Sequence, residues 1–255
     1  MENRKQLRSR IALVEESRIL VRGLDLCEEL LGKINLGDMA FLQLTKRLPS
    51  LQESIVFNAM AICLAEYGMT PSAIVARMVY SGSPGSIPAA IGAAISAMGE
   101  GLAGTMEKSA KLLQEFLPDP SSKVDLESIA IKIVDKYEKK IPGLGAPFHK
   151  PVDPRAEKLL EIGKLNGFDG PYVHLMALIS IEAQKRHGKS FPISAPGAVG
   201  VMACELGLPW YVVRSILAVG RAVGVIGHLF EELEDPLARE IQTRVQEEST
   251  KFFHQ

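Results

Sequence analysis

The sequence lacks an excess of charge of either sign and is poor in cysteine. Its 255 residues include 29 Lys and Arg against 30 Asp and Glu, which gives a net charge of −1. A nucleic-acid-binding surface needs a clear basic excess, so this composition argues against such a partner. Cys27, Cys63 and Cys204 lie far apart, and none belongs to a CxxC pair. We interpret them as reduced core residues rather than as disulfides or metal ligands.

Signals for export or for a membrane are equally weak. The basic start MENRKQLRSR is not followed by the apolar run of a signal peptide. The longest apolar stretch, 211–227, contains Arg214 and Arg221 and is too short to span a bilayer comfortably. We therefore expect a soluble cytoplasmic protein that does not enter a membrane.

Helix signals, in contrast, recur along the whole chain. Ser50 and Glu53 form a capping box, and Thr70-Pro71 and Asp153-Pro154 each pair an N-cap with a proline in the first turn. Ser86 with Pro88 predicts the start of another helix. Further helices are predicted over 106–117, 125–140, 172–186 and 212–234. No alternation of polar and apolar residues indicates a sheet, so we predict an all-α fold.

Two features of the pattern bear on packing. Segments 55–65 and 211–230 are apolar on nearly every side, which predicts helices that neighbours bury all round. The Gly/Pro-rich stretches 81–88, 118–122, 141–154 and 191–200 are the predicted breaks between helices.

Arg221 stands in the middle of the apolar segment ILAVGRAVGVIGHLF. A buried guanidinium without a partner costs several kcal/mol, so Arg221 must meet an anion. One interpretation is an internal salt bridge, to Glu205 or Glu231. The other is a pocket arginine that binds a ligand carboxylate in a bidentate manner, which its planar fork suits.

Arg155 follows the Gly- and Pro-rich stretch IPGLGAPFHKPVDP. Asp153 as N-cap and Pro154 as first helical residue place Arg155 in the first turn of a helix, where the helix dipole is positive. Gly143 and Gly145 allow the backbone to approach a ligand closely. This arrangement predicts a pocket for a carboxylate or phosphate, and the alternative is a simple loop-to-helix turn with a surface arginine.

Five segments of the sequence resemble motifs of one known family. GLGAPFHKPVDPRA resembles GxGHxxxKxxDPR, and AEYGMTPSAIVAR resembles ADHGLTPSALAAR. INLGDMAFLQLTKRLPSLQE is similar to SFxEMxFLLLTGRLPTxEE, and VGRAVGVIGHLFEE to xARTxGxIAHxxEQ. FPISAPGAVGVMACELGLP resembles LPINxxGAxxAxLxDLGLP. These motifs, found in the expected order, resemble those of the citrate synthase superfamily. The last motif and the short length of the chain point to its bacterial citryl-CoA lyase-like branch.

The resemblance implies a homodimer of all-α subunits, each with two domains and a cleft between them. The large domain would comprise 1–104 and 209–255, and the small domain 105–208. The family binds a coenzyme A thioester and a dicarboxylate in the cleft and makes or breaks one carbon–carbon bond. The implied partners are therefore these small molecules and a second copy of the chain, with no permanently bound cofactor and no metal.

The resemblance also implies roles for individual residues. Arg155 and Arg221 fall at two substrate-binding positions, and His228 would lie at the cleft wall or at the dimer contact. Coenzyme A is assigned to the loop that contains the glycines and their neighbours, namely Gly143, Gly145, Ala146 and Lys150. The family has a third substrate arginine in an RP motif, but here Asp235 stands before Pro236. That ligand is therefore either missing or replaced by nearby Arg239.

The catalytic positions depart from the family pattern. Ala103 in GEGLAG and Ala146 stand where the family has its two histidines, and Pro196 stands at or next to its aspartate. None of these side chains transfers a proton. The remaining candidates are His149, three residues after Ala146, and Glu107, for which the alternative is a solvated charge.

Two functional hypotheses follow. The first is a citryl-CoA lyase-like enzyme, favoured by the retained arginines and the lyase-type C-terminal segment. The second is a catalytically degenerate homologue that binds acyl-CoA or dicarboxylate without turnover, favoured by the three substituted positions. A purely structural helical scaffold would not explain why Arg221 stands within an apolar helix. The acyl group and the direction of reaction stay open at this level.

Overall fold

The computed structural model describes residues 7–145 and 151–254, and helices dominate this part of the chain. The α-helices that lie in it are α1 (Leu36–Thr45), α2 (Leu51–Ala65), α3 (Pro71–Gly82), α4 (Ile87–Ser96), α5 (Thr105–Phe116), α6 (Leu126–Tyr137), α7 (Pro154–Leu165), α8 (Pro171–His187), α9 (Ala195–Glu205), α10 (Val213–Glu234) and α11 (Ala238–Thr250). Shorter π-helical turns cover Leu26–Leu30 and Gly99–Gly104, and 3₁₀ turns cover Trp210–Val212 and Lys251–His254.

A small antiparallel sheet precedes the helices. Its strands are β1 (Ala12–Val14), β2 (Ile19–Val21) and β3 (Leu24–Asp25), in that order. Arg22 and Gly23, with φ of 54° and 89°, close the second hairpin in the manner of a type I′ turn. The prediction that no sheet would occur is wrong at this point, because strands of two or three residues are too short to show an alternating pattern.

Local signals set the helix starts as predicted. The Ser50 hydroxyl accepts from the Glu53 amide and the Glu53 carboxylate accepts from the Ser50 amide, which begins α2. Thr70 caps α3 in the same way, by accepting from the Ala73 amide. The predicted break at 191–200 is confirmed for 191–194 and wrong for 195–200, because Ser194 caps α9, which starts at Ala195 with Pro196 in its first turn.

Helix α10 packs closely against α2, and two glycines make this possible. A Cβ at Gly220 would overlap the carbonyl oxygen of Ala61, and one at Gly224 would overlap that of Ala65. The close approach carries Arg221 to the C-terminal end of α2. The same helix contacts α3 and α4 through Val225 and Leu229, which join Ala76, Tyr80, Ala90 and Ala94 in a small apolar cluster.

A larger apolar core joins α2 with α5, α6, α8 and α9. It contains, among others, Phe57, Met60, Met106, Leu113 and Val199, each no more than 1% exposed. The division of the chain into a large and a small domain stays a prediction.

One face of α10 has no covering element in the described chain. Val223, Ile226, Phe230 and Leu233 line this face and are between 42% and 59% exposed, and Ile62 on α2 is 73% exposed. The predicted burial of segments 55–65 and 211–230 on all sides is therefore wrong for these faces. The pattern of residue types within one helix does not determine how many other elements pack against that helix.

By length and composition, Trp210–Glu234 is the one helical segment of the described residues that could cross a membrane. Core helices of soluble proteins satisfy the same criterion.

Candidate functional site

Arg221 lies in α10 with 1% of its side chain exposed. Within the described residues its Nε and Nη1 donate no hydrogen bond. An Oε2 atom of Glu66 lies 3.7 Å from Nη1, which is beyond ordinary hydrogen-bonding distance. Burial lowers the pKa of Arg221, and the negative charge of Glu66 opposes that shift. A buried guanidinium with unfilled donors is stabilised by an anion.

The two carboxylates predicted as internal partners of Arg221 are engaged elsewhere. Glu205 accepts from the amides of Tyr172 at 2.9 Å and Val173 at 3.1 Å, at the start of α8. Glu231 forms an ion pair with Arg77. Glu205 and Glu231 are therefore the wrong partners, but an internal ion pair of Arg221 is present, to Glu66 at 3.7 Å.

His228 lies beside Arg221 and connects it to a second arginine. Arg77 Nη2 lies 3.0 Å from His228 Nδ1. A guanidinium can only donate, so Nδ1 is the acceptor and the proton of the neutral ring is assigned to Nε2. This Nε2 lies 3.1 Å from Glu66 Oε2. Arg221 and His228 thus meet the same carboxylate oxygen.

Glu66 ends α2 and is 46% exposed at its side chain. Its Oε1 accepts from the Tyr67 amide at 2.7 Å, while Oε2 is the atom near Arg221 and His228. Burial alone would raise the pKa of Glu66, but the Tyr67 amide and His228 outweigh it and the pKa is lowered. The group therefore favours its charged form.

Arg77 is completely buried on α3, and carboxylates of α10 neutralise it. Its Nη1 donates to Glu232 at 2.9 Å, and Nη2 pairs with Glu231. Glu232 also accepts from the amides of Leu237 at 3.0 Å and Ala238 at 2.9 Å, at the start of α11. This pair therefore fixes α3, α10 and α11 to one another.

Arg155 is held by the residue that caps its own helix. Asp153 Oδ1 accepts from the Arg155 amide and from Nε, both at 3.1 Å, and Oδ2 accepts from Nη2 at 2.9 Å. Oδ2 also accepts from the Ala195 amide at 3.0 Å, which joins α7 to the start of α9. The Tyr67 ring lies 4.1 Å from the guanidinium carbon of Arg155. Arg155 and Arg221 therefore contact consecutive residues, Tyr67 and Glu66.

The glycine loop before α7 packs tightly on the start of α9. Gly143 and Gly145 both have φ of 89°, and a Cβ at Gly143 would lie 2.6 Å from Ser109 Oγ. The Gly143 carbonyl accepts from the amide and hydroxyl of Ser194, and the Gly145 amide donates to Pro192. Ala146, His149 and Lys150 lie outside the described residues, so the assignment of this loop to coenzyme A stays a prediction.

Glu107, one of the two predicted catalytic residues, forms an ion pair with Arg214 of α10. Arg214 also donates to Glu100 at 2.8 Å, so the pair links α5, α10 and the turn before α5. Ala103 in this turn is 5% exposed, and Pro196 lies in the first turn of α9. Arg239 is exposed in the first turn of α11.

Sequence reasoning missed Glu66, Tyr67 and Arg77, although all three lie in the segment AEYGMTPSAIVAR. The signal for Arg77 was its spacing from Ala73 and Tyr80, which places it on the buried face of α3. No comparable signal marked Glu66, which lies just beyond the end of its helix. Among the described residues, no group of three His, Cys, Asp or Glu could hold a metal ion.

The fold is helical, and the site contains two buried arginines, Arg77 and Arg221. The family model for the citrate synthase C-terminal domain matches residues 41–243, which is most of the chain. The chain therefore belongs to the citrate synthase family, as the sequence motifs predicted. No curated protein sequence matches it.

Solved structures with the same fold include enzymes of citrate and coenzyme A chemistry. Citryl-CoA lyase from Hydrogenobacter thermophilus is 28% identical with a TM-score of 0.81, over 91% of this chain and 88% of that chain. ATP citrate lyase from Methanothrix soehngenii, in complex with citrate and coenzyme A, is 17% identical with a TM-score of 0.76, over 92% and 40%.

Citrate synthase from Thermoplasma acidophilum, in a ternary complex with carboxymethyl coenzyme A and oxaloacetate, is 20% identical with a TM-score of 0.63, over 79% and 54%. At these identities the ATP citrate lyase and the citrate synthase show the fold alone. The predicted citrate synthase-like helical fold is confirmed.

Proposed function

We propose that the protein is a citryl-CoA lyase-like enzyme, which cleaves or forms the carbon–carbon bond between acetyl-CoA and a 2-oxo dicarboxylate such as oxaloacetate. The family membership and the likeness to citryl-CoA lyase over nearly the full length of both chains support this class of reaction. The acyl-CoA and the dicarboxylate act as substrates.

Arg221 is the observation that carries the proposal. Its buried guanidinium leaves Nε and Nη1 without a hydrogen-bond partner, which costs stability, and a ligand carboxylate would supply acceptors that the protein does not. Arg155 contacts the residue after Glu66, Tyr67, and is oriented by its ion pair with Asp153. We infer that each arginine binds one carboxylate of a dicarboxylate ligand.

The proton transfers need groups that the family positions lack. In the cleavage, the substrate hydroxyl loses a proton, the adjacent carbon–carbon bond breaks, and the methyl carbon of acetyl-CoA gains a proton. Ala103, Ala146 and Pro196 contribute to neither transfer. We assign the role to His149, with Glu107 as the second candidate if its ion pair with Arg214 opens.

A catalytically degenerate binder is the second candidate function. The three substituted positions favour it, and so does the ion pair that occupies Glu107. Such a protein would retain affinity for acyl-CoA or dicarboxylate without turnover.

The deciding experiment is incubation of the pure protein with citryl-CoA, with acetyl-CoA and oxaloacetate measured by mass spectrometry. The enzyme hypothesis expects both products to accumulate in proportion to protein concentration. Tight binding of coenzyme A without any product would instead favour the binder, and the absence of both would exclude the two hypotheses together.

We propose further that the protein is a homodimer. The uncovered apolar face of α10, formed by Val223, Ile226, Phe230 and Leu233, supports an association of this kind. Sedimentation velocity at micromolar concentration should give a dimer mass, and a monomer would contradict the assignment.

A further inference from the structure

Glu66 occupies the position in which Arg221 would receive a ligand. Its Oε2 lies 3.7 Å from Arg221 Nη1 and 3.1 Å from His228 Nε2. The distance to Arg221 is too long for a hydrogen bond, so the charge is partly compensated while the donors stay unfilled. A ligand carboxylate bound there in a bidentate manner would be repelled by the negative charge of Glu66.

The surroundings of Glu66 allow it to move aside. Its side chain is 46% exposed, whereas Arg221 is 1% exposed and is fixed within α10. Glu66 follows the last residue of α2 and has extended backbone, with φ of −138° and ψ of 142°. Its Oε1 accepts from the amide of the next residue, Tyr67, and the Gly68 amide also stabilises the carboxylate. Turning the carboxylate into solvent exchanges these contacts, and the one with His228, for contacts with water.

We propose that Glu66 occupies the anion site in the absence of ligand, where it competes with ligand carboxylates for Arg221 and must be displaced when substrate binds. The inference rests on the proposed function, because it concerns the same carboxylate site. Displacement imposes the same cost on every ligand, so Glu66 lowers the affinities for mono- and dicarboxylates by the same factor.

The test compares pyruvate with oxaloacetate, two 2-oxo acids that differ by one carboxylate. Their affinities are measured by isothermal titration calorimetry for the wild type and for Glu66→Gln. Glutamine keeps the size of the side chain and its acceptor for the Tyr67 amide, but it removes the competing charge. We expect pyruvate to bind about tenfold more tightly or better to the variant, because a like charge next to the ligand has been removed. Oxaloacetate should gain the same factor, so the ratio of the two affinities should stay unchanged.

Glu115→Gln is the matched control. Glu115 is 47% exposed and lies 3.6 Å from Lys111, so it resembles Glu66 in exposure and in distance to a cation. Its replacement should leave both affinities unchanged. In an Arg221→Leu background, Glu66→Gln should no longer alter the affinity for either acid, because the group for which it competes is gone.

Unchanged or weaker pyruvate binding to Glu66→Gln, with oxaloacetate binding to the wild type intact, would overturn this inference and leave the proposed function standing. The same holds if the Arg221→Leu background preserves the effect. If no variant binds oxaloacetate and citryl-CoA is not cleaved, the proposed function fails together with the inference.

Discussion

Two buried arginines of this protein should respond in opposite ways to the same substitution. We predict that Arg77→Met lowers the free energy of unfolding by about 3–5 kcal/mol, the cost of breaking a buried ion pair. The equivalent Arg221→Met should be neutral or should raise it by about 1–4 kcal/mol, the range found when buried charge is replaced by apolar volume. Methionine fills similar space along the stem in both cases.

The difference follows from what each arginine leaves behind. Removal of Arg77 strands Glu232, whose side chain is 3% exposed, and weakens the start of α11 that Glu232 caps. Removal of Arg221 eliminates two unpartnered donors, and the half-exposed Glu66 can turn to solvent. For a chain of this size the loss at Arg77 corresponds to a fall in Tm of roughly 6–20 °C.

Urea unfolding followed by circular dichroism measures both changes, with thermal unfolding as a second readout. The denaturant slopes should be equal among the three proteins, so that the midpoints report stability alone. If Arg221→Met loses as much stability as Arg77→Met, then Arg221 already has a full partner in the folded protein. The argument for an anion site at Arg221 would then be refuted.

Three further predictions concern other parts of the chain. Hydrogen bonds from Arg47 lower the pKa of Glu53 to about 2 from 4.5, so Glu53→Gln should destabilise the protein at neutral pH. Because the folded pKa is the lower one, this difference should shrink as the pH falls from about 4.5 towards 2, and a difference that grows on acidification would contradict it. Cys27 is exposed, so the interpretation of all three cysteines as core residues is wrong for it. Burial raises the pKa of Cys204 to about 12, so the native protein should show rapid reaction with a thiol reagent at Cys27 but none at Cys204, as read by peptide mass mapping. Ala146→His, which restores the family histidine, should raise turnover of citryl-CoA by about 10²–10⁴-fold, and His149→Ala should abolish the wild-type turnover with little change in affinity. Cleavage that is untouched by His149→Ala would show that another group transfers the proton.

The sequence by itself determined the helical class and most helix starts. Ser50 with Glu53, Thr70 with Pro71, and Asp153 with Pro154 each act within a single turn, so these signals can be read without knowing the fold. The family motifs are similarly local strings, and they led to the right family. Arg221 stood out for the same reason, as a charge inside an apolar helix.

Only the tertiary structure decided which carboxylate meets which arginine. Arg77 and Glu232 are 155 residues apart in the chain, and Glu66 reaches Arg221 because Gly220 and Gly224 bring α10 against the end of α2. The sequence contains many acidic residues, and the two predicted as partners of Arg221, Glu205 and Glu231, both bind other groups. An ion pair depends on distances of a few ångströms between elements, and these distances follow from the packing of the whole core rather than from any local pattern.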